Sequence, residues 1–230
     1  MKIAIIGTGN VGRTLAAKLV ELGHDVMVGT RNVQEKLAGT ENDSYGNPPF
    51  SVWLNNNRDV KLGTFAEAAT HGEMVFNATH GESSVTALIL AGTKNLAGKI
   101  LVDVANPLDF SKGMPPSLLP GLCNTNSLGE EIQRTFCDSF VVKTLNTMWC
   151  GLMVNPQMIG KGDHINFISG NSVEAKTEVR NLLRQFGWKD ENLVDLGNIS
   201  AARATESMLL IWLSVMSLNN NGVFNFKIVR

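Results

Sequence analysis

The chain has 230 residues, 43% of them hydrophobic and 18% charged, with a formal net charge of −1. That charged share is below the roughly 25% of ordinary globular proteins, so a large core can form, and the near-zero net charge gives no electrostatic case for nucleic acid or an anionic membrane as partner. The cysteines, Cys123, Cys137 and Cys150, are odd in number and widely spaced, which argues against a disulfide scaffold or a C-x-x-C site and for small hydrophobes packed in a reducing compartment.

An apolar strand over residues 3–6 runs straight into Gly7-Thr8-Gly9-Asn10-Val11-Gly12. A helical pattern follows, carried by Val11, Leu15, Leu19 and Leu22, with Gly23 as its stop. A second strand over 24–28 completes a strand–helix–strand unit. A glycine-rich turn alone is a weak signal, often no more than a strand-to-helix turn. In this setting it predicts a dinucleotide site. Gly7 permits the tight turn, Gly9 lets the backbone approach a pyrophosphate, and Gly12 lets helix and strand pack closely, while the helix amino end offers N–H groups and partial positive charge.

The end of the second strand selects the dinucleotide. An NAD site usually places Asp or Glu there for the ribose hydroxyls; this chain has Gly29-Thr30-Arg31-Asn32, with Lys36 one turn on. Arg31 can fork onto a 2′-phosphate, Lys36 can add a point charge, and Thr30 and Asn32 can donate hydrogen bonds. The bland alternative is two solvated surface cations. The expected cofactor is NADP.

Residues 40–58 follow, with Pro48, Pro49, Phe50, Trp53 and three consecutive Asn, and without a clean period. Such a loop either covers the cofactor or makes a surface excursion. Strands are then expected over 60–62, 74–79, 100–104 and 140–144, with helical segments over 65–69, 85–90 and 127–136. Ser127 and Glu130 have capping-box spacing, and a Gly- and Pro-rich loop spans 111–121. A last unit is a strand over 165–168, a helix over 173–186 and a strand over 193–196. The closing helix, 201–218, is apolar nearly all round from Met208 to Met216, so it should be buried in the core or in a homodimer interface. Arg203 and Glu206 near its start are expected to pair with each other or to line the site. This is an α/β, doubly wound Rossmann pattern with a parallel sheet. The NADP-binding domain covers 1–147, and a small α/β extension covers 148–230, with a soft boundary.

Ligands of such sheets lie beyond the carboxyl ends of the strands. That places Ala78, Thr79 and His80 beside the ribose or nicotinamide, with Asn106, Pro107 and Asn146 shaping the neighbouring wall. His80 is read as a hydrogen-bond donor to the cofactor or a loop histidine before a general acid, because no partner tunes it. Lys143, alternating with apolar residues in a strand, is read as structural before catalytic. His24, His71 and His164 look like surface or loop residues, no metal-ligand spacing is visible, and no catalytic residue is assigned. Met1-Lys2 leads directly into the first strand, leaving no room for a signal peptide. The apolar run 208–218 is shorter than the ~20 residues a bilayer requires, so a cytoplasmic protein without a membrane partner is expected.

Four segments also carry a family likeness: Lys2-Ile-Ala-Ile-Ile-Gly-Thr-Gly-Asn-Val-Gly, Gly29-Thr-Arg, Val104-Ala-Asn-Pro-Leu108 and Val141-Val-Lys-Thr-Leu-Asn-Thr147. Together they resemble the NADP-dependent oxidoreductases of the deazaflavin (coenzyme F-420) type. The last element, the most discriminating, recurs in the cytoplasmic reductase domains of membrane metalloreductases. The resemblance implies a compact Rossmann domain with a small carboxyl-terminal extension, NADP in the glycine-rich turn, and a deazaflavin or flavin stacked over the nicotinamide. The expected activity is hydride transfer between NADP(H) and that small-molecule acceptor. The rivals are an NADPH-dependent imine or carbonyl reductase of the pyrroline-carboxylate type and a non-enzymatic NADP-sensing module.

Overall fold

The computed structural model describes residues 1–43 and 46–229. Strand β1 (Lys2–Ile6) is apolar on both faces, with Ile3 through Ile6 fully buried, as a central parallel strand covered by helices on both sides must be. Helix α1 (Asn10–Glu21) buries Leu15, Ala16 and Leu19 against it, and β2 (Asp25–Thr30) pairs parallel to β1. Two short helices then appear that periodicity does not announce. In α2 (Val33–Ala38) the Asn32 side chain caps the start by accepting from the Glu35 N–H, and α3 (Phe50–Asn56) begins after Pro48-Pro49 and buries only Phe50. A single buried side chain per two turns leaves no readable period, which is why 40–58 looks like plain loop; residues 44 and 45 of it lie outside the described residues.

The alternation continues through β3 (Lys61–Thr64), α4 (Phe65–His71), β4 (Met74–Asn77), α5 (Gly81–Ala91), α6 (Thr93–Leu96) and β5 (Ile100–Asp103). A full capping box forms at Thr64 and Glu67. At Ser127 and Glu130 the box is partial: Ser127 Oγ accepts from the Glu130 N–H, and the Glu130 carboxylate takes the Ser127 hydroxyl instead of its N–H. Within the Gly- and Pro-rich loop, β6 (Leu108–Asp109) and β7 (Ser117–Leu118) make a small antiparallel pair. After α7 (Leu128–Thr135) and β8 (Phe140–Thr144) come α8 (Cys150–Val154), β9 (Asn166–Gly170), α9 (Val173–Gln185), β10 (Leu193–Asp195) and α10 (Ala202–Asn219).

Among the described residues the main sheet has the order β10-β9-β8-β5-β4-β1-β2-β3. The expected parallel sheet needs one correction: β9 runs antiparallel to β8, with Thr144 opposite Ile168, and β10 is parallel to β9. The cause is local. The chain between β8 and β9 is spent on α8 and two 3-10 turns at the carboxyl edge, with no crossover helix to carry it back to the far end. The last two strands thus continue the same sheet.

Several side chains also differ from expectation. Cys137 is exposed, and Cys123 and Cys150 are half-buried rather than packed away. His164 is buried, with its Nε2 2.8 Å from the Pro156 carbonyl. The closing helix is half-buried: Leu209, Trp212 and Leu213 pack against Phe224 and Phe226 of the tail, whereas Ile211 and Leu218 face outward. By length and composition the segment Ile199–Asn219 would suffice to cross a bilayer, yet it carries an ionised network inside the domain.

That network also corrects the expected Arg203–Glu206 pair. Arg203 instead forks onto Glu130 of α7 at 2.8 and 2.5 Å. Glu206 turns inward to Lys143 at 2.7 Å, and Lys143 also holds Asp103 at 2.8 Å and the Ala105 carbonyl at 2.6 Å. The Glu206 carboxylate further accepts the N–H groups of Leu128 and Gly129, the first residues of α7, where a negative charge complements the helix dipole. Burial works against the Lys143 ammonium, but Asp103 and Glu206 outweigh it and hold the pKa above its ordinary value. Burial likewise pushes the Glu206 carboxyl up, against the pull of Lys143. Lys143→Met would strand two buried carboxylates, a loss of about 3–5 kcal/mol. Urea denaturation should show that fall, and a midpoint equal to that of the unaltered chain would sink the assignment.

Candidate functional site

The glycine-rich turn is built by close backbone contact. Gly7 has φ +125°, its N–H donates to the Gly29 carbonyl at 3.2 Å, and an added Cβ would sit 2.4 Å from the Ala78 carbonyl oxygen. Three strand ends therefore converge on one residue without a side chain. Gly12 meets the same turn from α1, since a Cβ there would lie 2.2 Å from the Gly7 carbonyl oxygen. Gly9 is different. It is the N-cap of α1 in ordinary extended geometry, and a Cβ would meet no heavy atom within 4 Å. No side chain caps this helix start, and its first turn holds no acidic residue. Open space before uncapped N–H groups is the arrangement that a pyrophosphate needs.

Beyond β2, Thr30, Arg31, Asn32 and Lys36 line a cavity of about 330 Å³ together with Arg13, Glu35, Glu41, Asp43 and Phe50. Thr30 is buried, Arg31 is exposed, and Asn32 spends its oxygen on the α2 cap, leaving its amide N–H groups as donors. Lys36 Nζ lies 5.9 Å from the centre of the Phe50 ring. Asn10 Oδ1 accepts from Asn47 Nδ2 at 3.0 Å and so ties the 46–50 segment to the turn. Thr8 offers its carbonyl to Arg13 Nε at 3.1 Å, and Val11 packs on the core.

The carboxyl ends of β4, β5 and β8 form a second cluster. Asn77, fully buried, donates to Asp103 and accepts the Thr79 hydroxyl at 2.7 Å, so the buried ion network reaches the strand end. Thr79 Oγ1 is also 2.8 Å from Ser84 Oγ. Ala78 is buried beneath Gly7; His80 is exposed and is the N-cap of α5. Asn106 and Asn146 hold each other: Asn106 Nδ2 donates to the Asn146 carbonyl at 2.8 Å, and Asn146 Nδ2 donates to Asn106 Oδ1 at 2.9 Å. Beside them Pro107 is buried, and the Asn106 carbonyl lies where a Cβ on Gly81 would clash at 2.1 Å.

Leu145, between β8 and Asn146, has φ +62°, a left-handed conformation that costs a branched residue roughly 1–2 kcal/mol. Its N–H is secured by the buried Asn166 Oδ1 at 3.1 Å, and Asn166 is anchored to Thr144. Strain held by surrounding structure is a mark of functional edges. Here it turns the chain so that Asn146 faces Asn106.

The sequence-derived residues thus fall into two groups, one around the turn and β2 and one across β4, β5 and β8, with Gly7 joining them. Arg13 is missed by sequence reasoning, and Asp43 and Phe50 enter it only through the 40–58 loop, expected either to cover the cofactor or to make a surface excursion. The signal for Arg13 was a cation amid Gly12, Leu15 and Ala16 on the buried face of α1. Among the described residues no group of His, Cys, Asp or Glu is placed to hold a metal.

Comparison with known proteins agrees with this geometry. Residues 2–107 match the family described as NADP oxidoreductase coenzyme F420-dependent. A crystal structure from Arthrobacter sp. FB24, described as a candidate F420-dependent NADP reductase, is 53% identical, covers 100% of both chains and superposes with a TM-score of 0.94. The metalloreductase STEAP3 of Rattus norvegicus is 30% identical over 91% of this chain, which spans 36% of that protein's length. The F420-dependent NADP reductase of Methanothermobacter marburgensis is 27% identical over 49% of this chain and 48% of its own.

Gly9→Ala should leave folding intact, because the Cβ enters open space, and should weaken dinucleotide binding. Gly12→Ala should cost about 1–3 kcal/mol of stability from overpacking. Thermal unfolding alongside NADP titration separates the two, and a Gly9→Ala protein that binds as the unaltered chain does would refute the pyrophosphate placement.

Proposed function

We propose, from the premise that this chain belongs to the coenzyme F420-dependent NADP oxidoreductase family, that it transfers a hydride between NADP(H) and a deazaflavin or flavin ring. The observation that carries the reading is the pairing of an uncapped glycine-rich helix start with a cavity at the end of β2 that Arg13, Arg31 and Lys36 line beside Glu35, Glu41 and Asp43, and where no carboxylate stands at position 30 or 31. These residues fit NADP: Gly9 and the first N–H groups of α1 would hold the pyrophosphate, and Arg31 and Lys36 the 2′-phosphate.

Bound NADP(H) and the acceptor ring supply the hydride chemistry themselves. The chain's task is to bind, to orient and to exclude water. Thr79, held by Asn77 and Ser84, and the Asn106–Asn146 pair form a fixed polar wall at the strand ends, where the nicotinamide half would lie. Lys143, the nearest candidate for proton delivery to a carbonyl or imine, is fully buried with its ammonium committed to Asp103, Glu206 and Ala105. That favours ring-to-ring hydride transfer over reduction of a small carbonyl compound. The outward face of α10, with Ile211 and Leu218 exposed, is where a homodimer contact would form.

NADPH oxidation against a deazaflavin, riboflavin, FMN, FAD, a ferric chelate and a cyclic imine, with NADH in parallel, tests the reading. Fast, NADPH-selective reduction of a deazaflavin or flavin is expected; turnover of imines alone would overturn it. Arg31→Ala should weaken NADP by about 1.5–3 kcal/mol through loss of a charge-assisted contact and leave NAD nearly unchanged. Equal weakening of both in calorimetric titration would refute the 2′-phosphate assignment.

A further inference from the structure

Arg13 follows Gly12 in the first turns of α1 and is only 8% exposed. A buried guanidinium ordinarily stands against a carboxylate or phosphate, because its desolvation is costly unless opposite charge meets it. Among the described residues, Nε donates to the Thr8 carbonyl at 3.1 Å and Nη1 donates to the Pro48 carbonyl at 2.7 Å, both neutral oxygens. Its Cζ lies 5.4 Å from the centre of the Phe50 ring. Burial lowers the guanidinium pKa from its ordinary value, and Asp43 pulls it back. A clip between Thr8 and Pro48 needs only two neutral donors. A guanidinium offers five N–H donors, of which these two bonds use two, and the side chain lines the same cavity as Thr30, Arg31, Asn32 and Lys36, with the Asp43 carboxylate also on its wall.

We propose that Arg13 is a specificity-determining residue for the ribose 2′-phosphate of the cofactor. From α1 it brings a pre-aimed charge to a pocket whose other cations, Arg31 and Lys36, come from the end of β2 and from α2. The inference rests on the NADP reading above and deepens it. The carbonyls of Thr8 and Pro48 fix the plane of the guanidinium, so little rotamer entropy is lost when a phosphomonoester arrives. Through Pro48 the same side chain holds the 46–50 segment as a wall of the cavity, which gives that segment a role in cofactor choice.

The test is calorimetric titration of the full chain with adenosine 2′,5′-bisphosphate and adenosine 5′-monophosphate, which differ only by the ribose phosphate. The unaltered chain should prefer the bisphosphate. Arg13→Gln should reduce that preference by about tenfold or more while changing the monophosphate affinity little, and Arg13→Lys should recover part of it. A preference undiminished in Arg13→Gln, or an equal loss for both probes, overturns the role of Arg13 and leaves the NADP reading standing. No preference in the unaltered chain overturns both. Should Arg13→Gln not fold, 15N NMR of the unaltered chain decides: the Arg13 Nε–H signal, identified with Arg13→Lys, should shift with the bisphosphate and not with the monophosphate. A signal indifferent to the added phosphate overturns the proposal.

Discussion

The ion network of Lys143 with Asp103 and Glu206 is the interaction on which the rest of the structure depends. It joins β8, β5 and α10 in one buried cluster, and the Glu206 carboxylate reaches on to the first N–H groups of α7. Such a cluster is tolerable only when every member is satisfied, since an unpaired charge in a dry interior costs several kcal/mol. Its demand is geometric as well as energetic. The carboxyl-terminal helix must dock with Glu206 inward, and the strand ends of β4 and β5 must lie in register so that Asn77 can bond Asp103. The network therefore ends at the site: Asn77 passes its orientation to Thr79 on the rim.

The glycine-rich turn obeys a steric constraint of another kind. Gly7 and Gly12 are needed by the protein itself, because backbone oxygens occupy the space that a Cβ would require. Gly9 is not needed in that sense; the space before it is open. The three glycines of one motif thus divide into two that build the turn and one that leaves open space before the start of α1.

Two short constructions finish the site. Asn10 and Arg13 draw the 46–50 segment onto the turn, making a wall for the cavity at β2. At the other end, the left-handed Leu145 and the mutual Asn106–Asn146 bonds fix the wall across β5 and β8. Side-chain amides bonded to backbone or to each other serve in both, joined at the first by the Arg13 guanidinium. Such polar walls suit the positioning of rings that carry their own redox chemistry.

The sequence by itself determined the strand–helix–strand start, the glycine turn, the alternation of elements and the cationic end of β2. These are local matters of φ, of period and of residue type within a few positions. It also marked Ala78, Thr79, His80, Asn106 and Asn146 as strand-end residues, because parallel strands bring their carboxyl ends together whatever the loops do. Only the tertiary structure decided that β9 runs antiparallel to β8, that Glu206 seeks Lys143 while Arg203 seeks Glu130, and that Arg13 lines the cavity beyond β2. Each of these depends on partners 20 to 80 residues away. The choice among such partners is made by which charges burial leaves uncompensated, a quantity that exists only once the chain has packed.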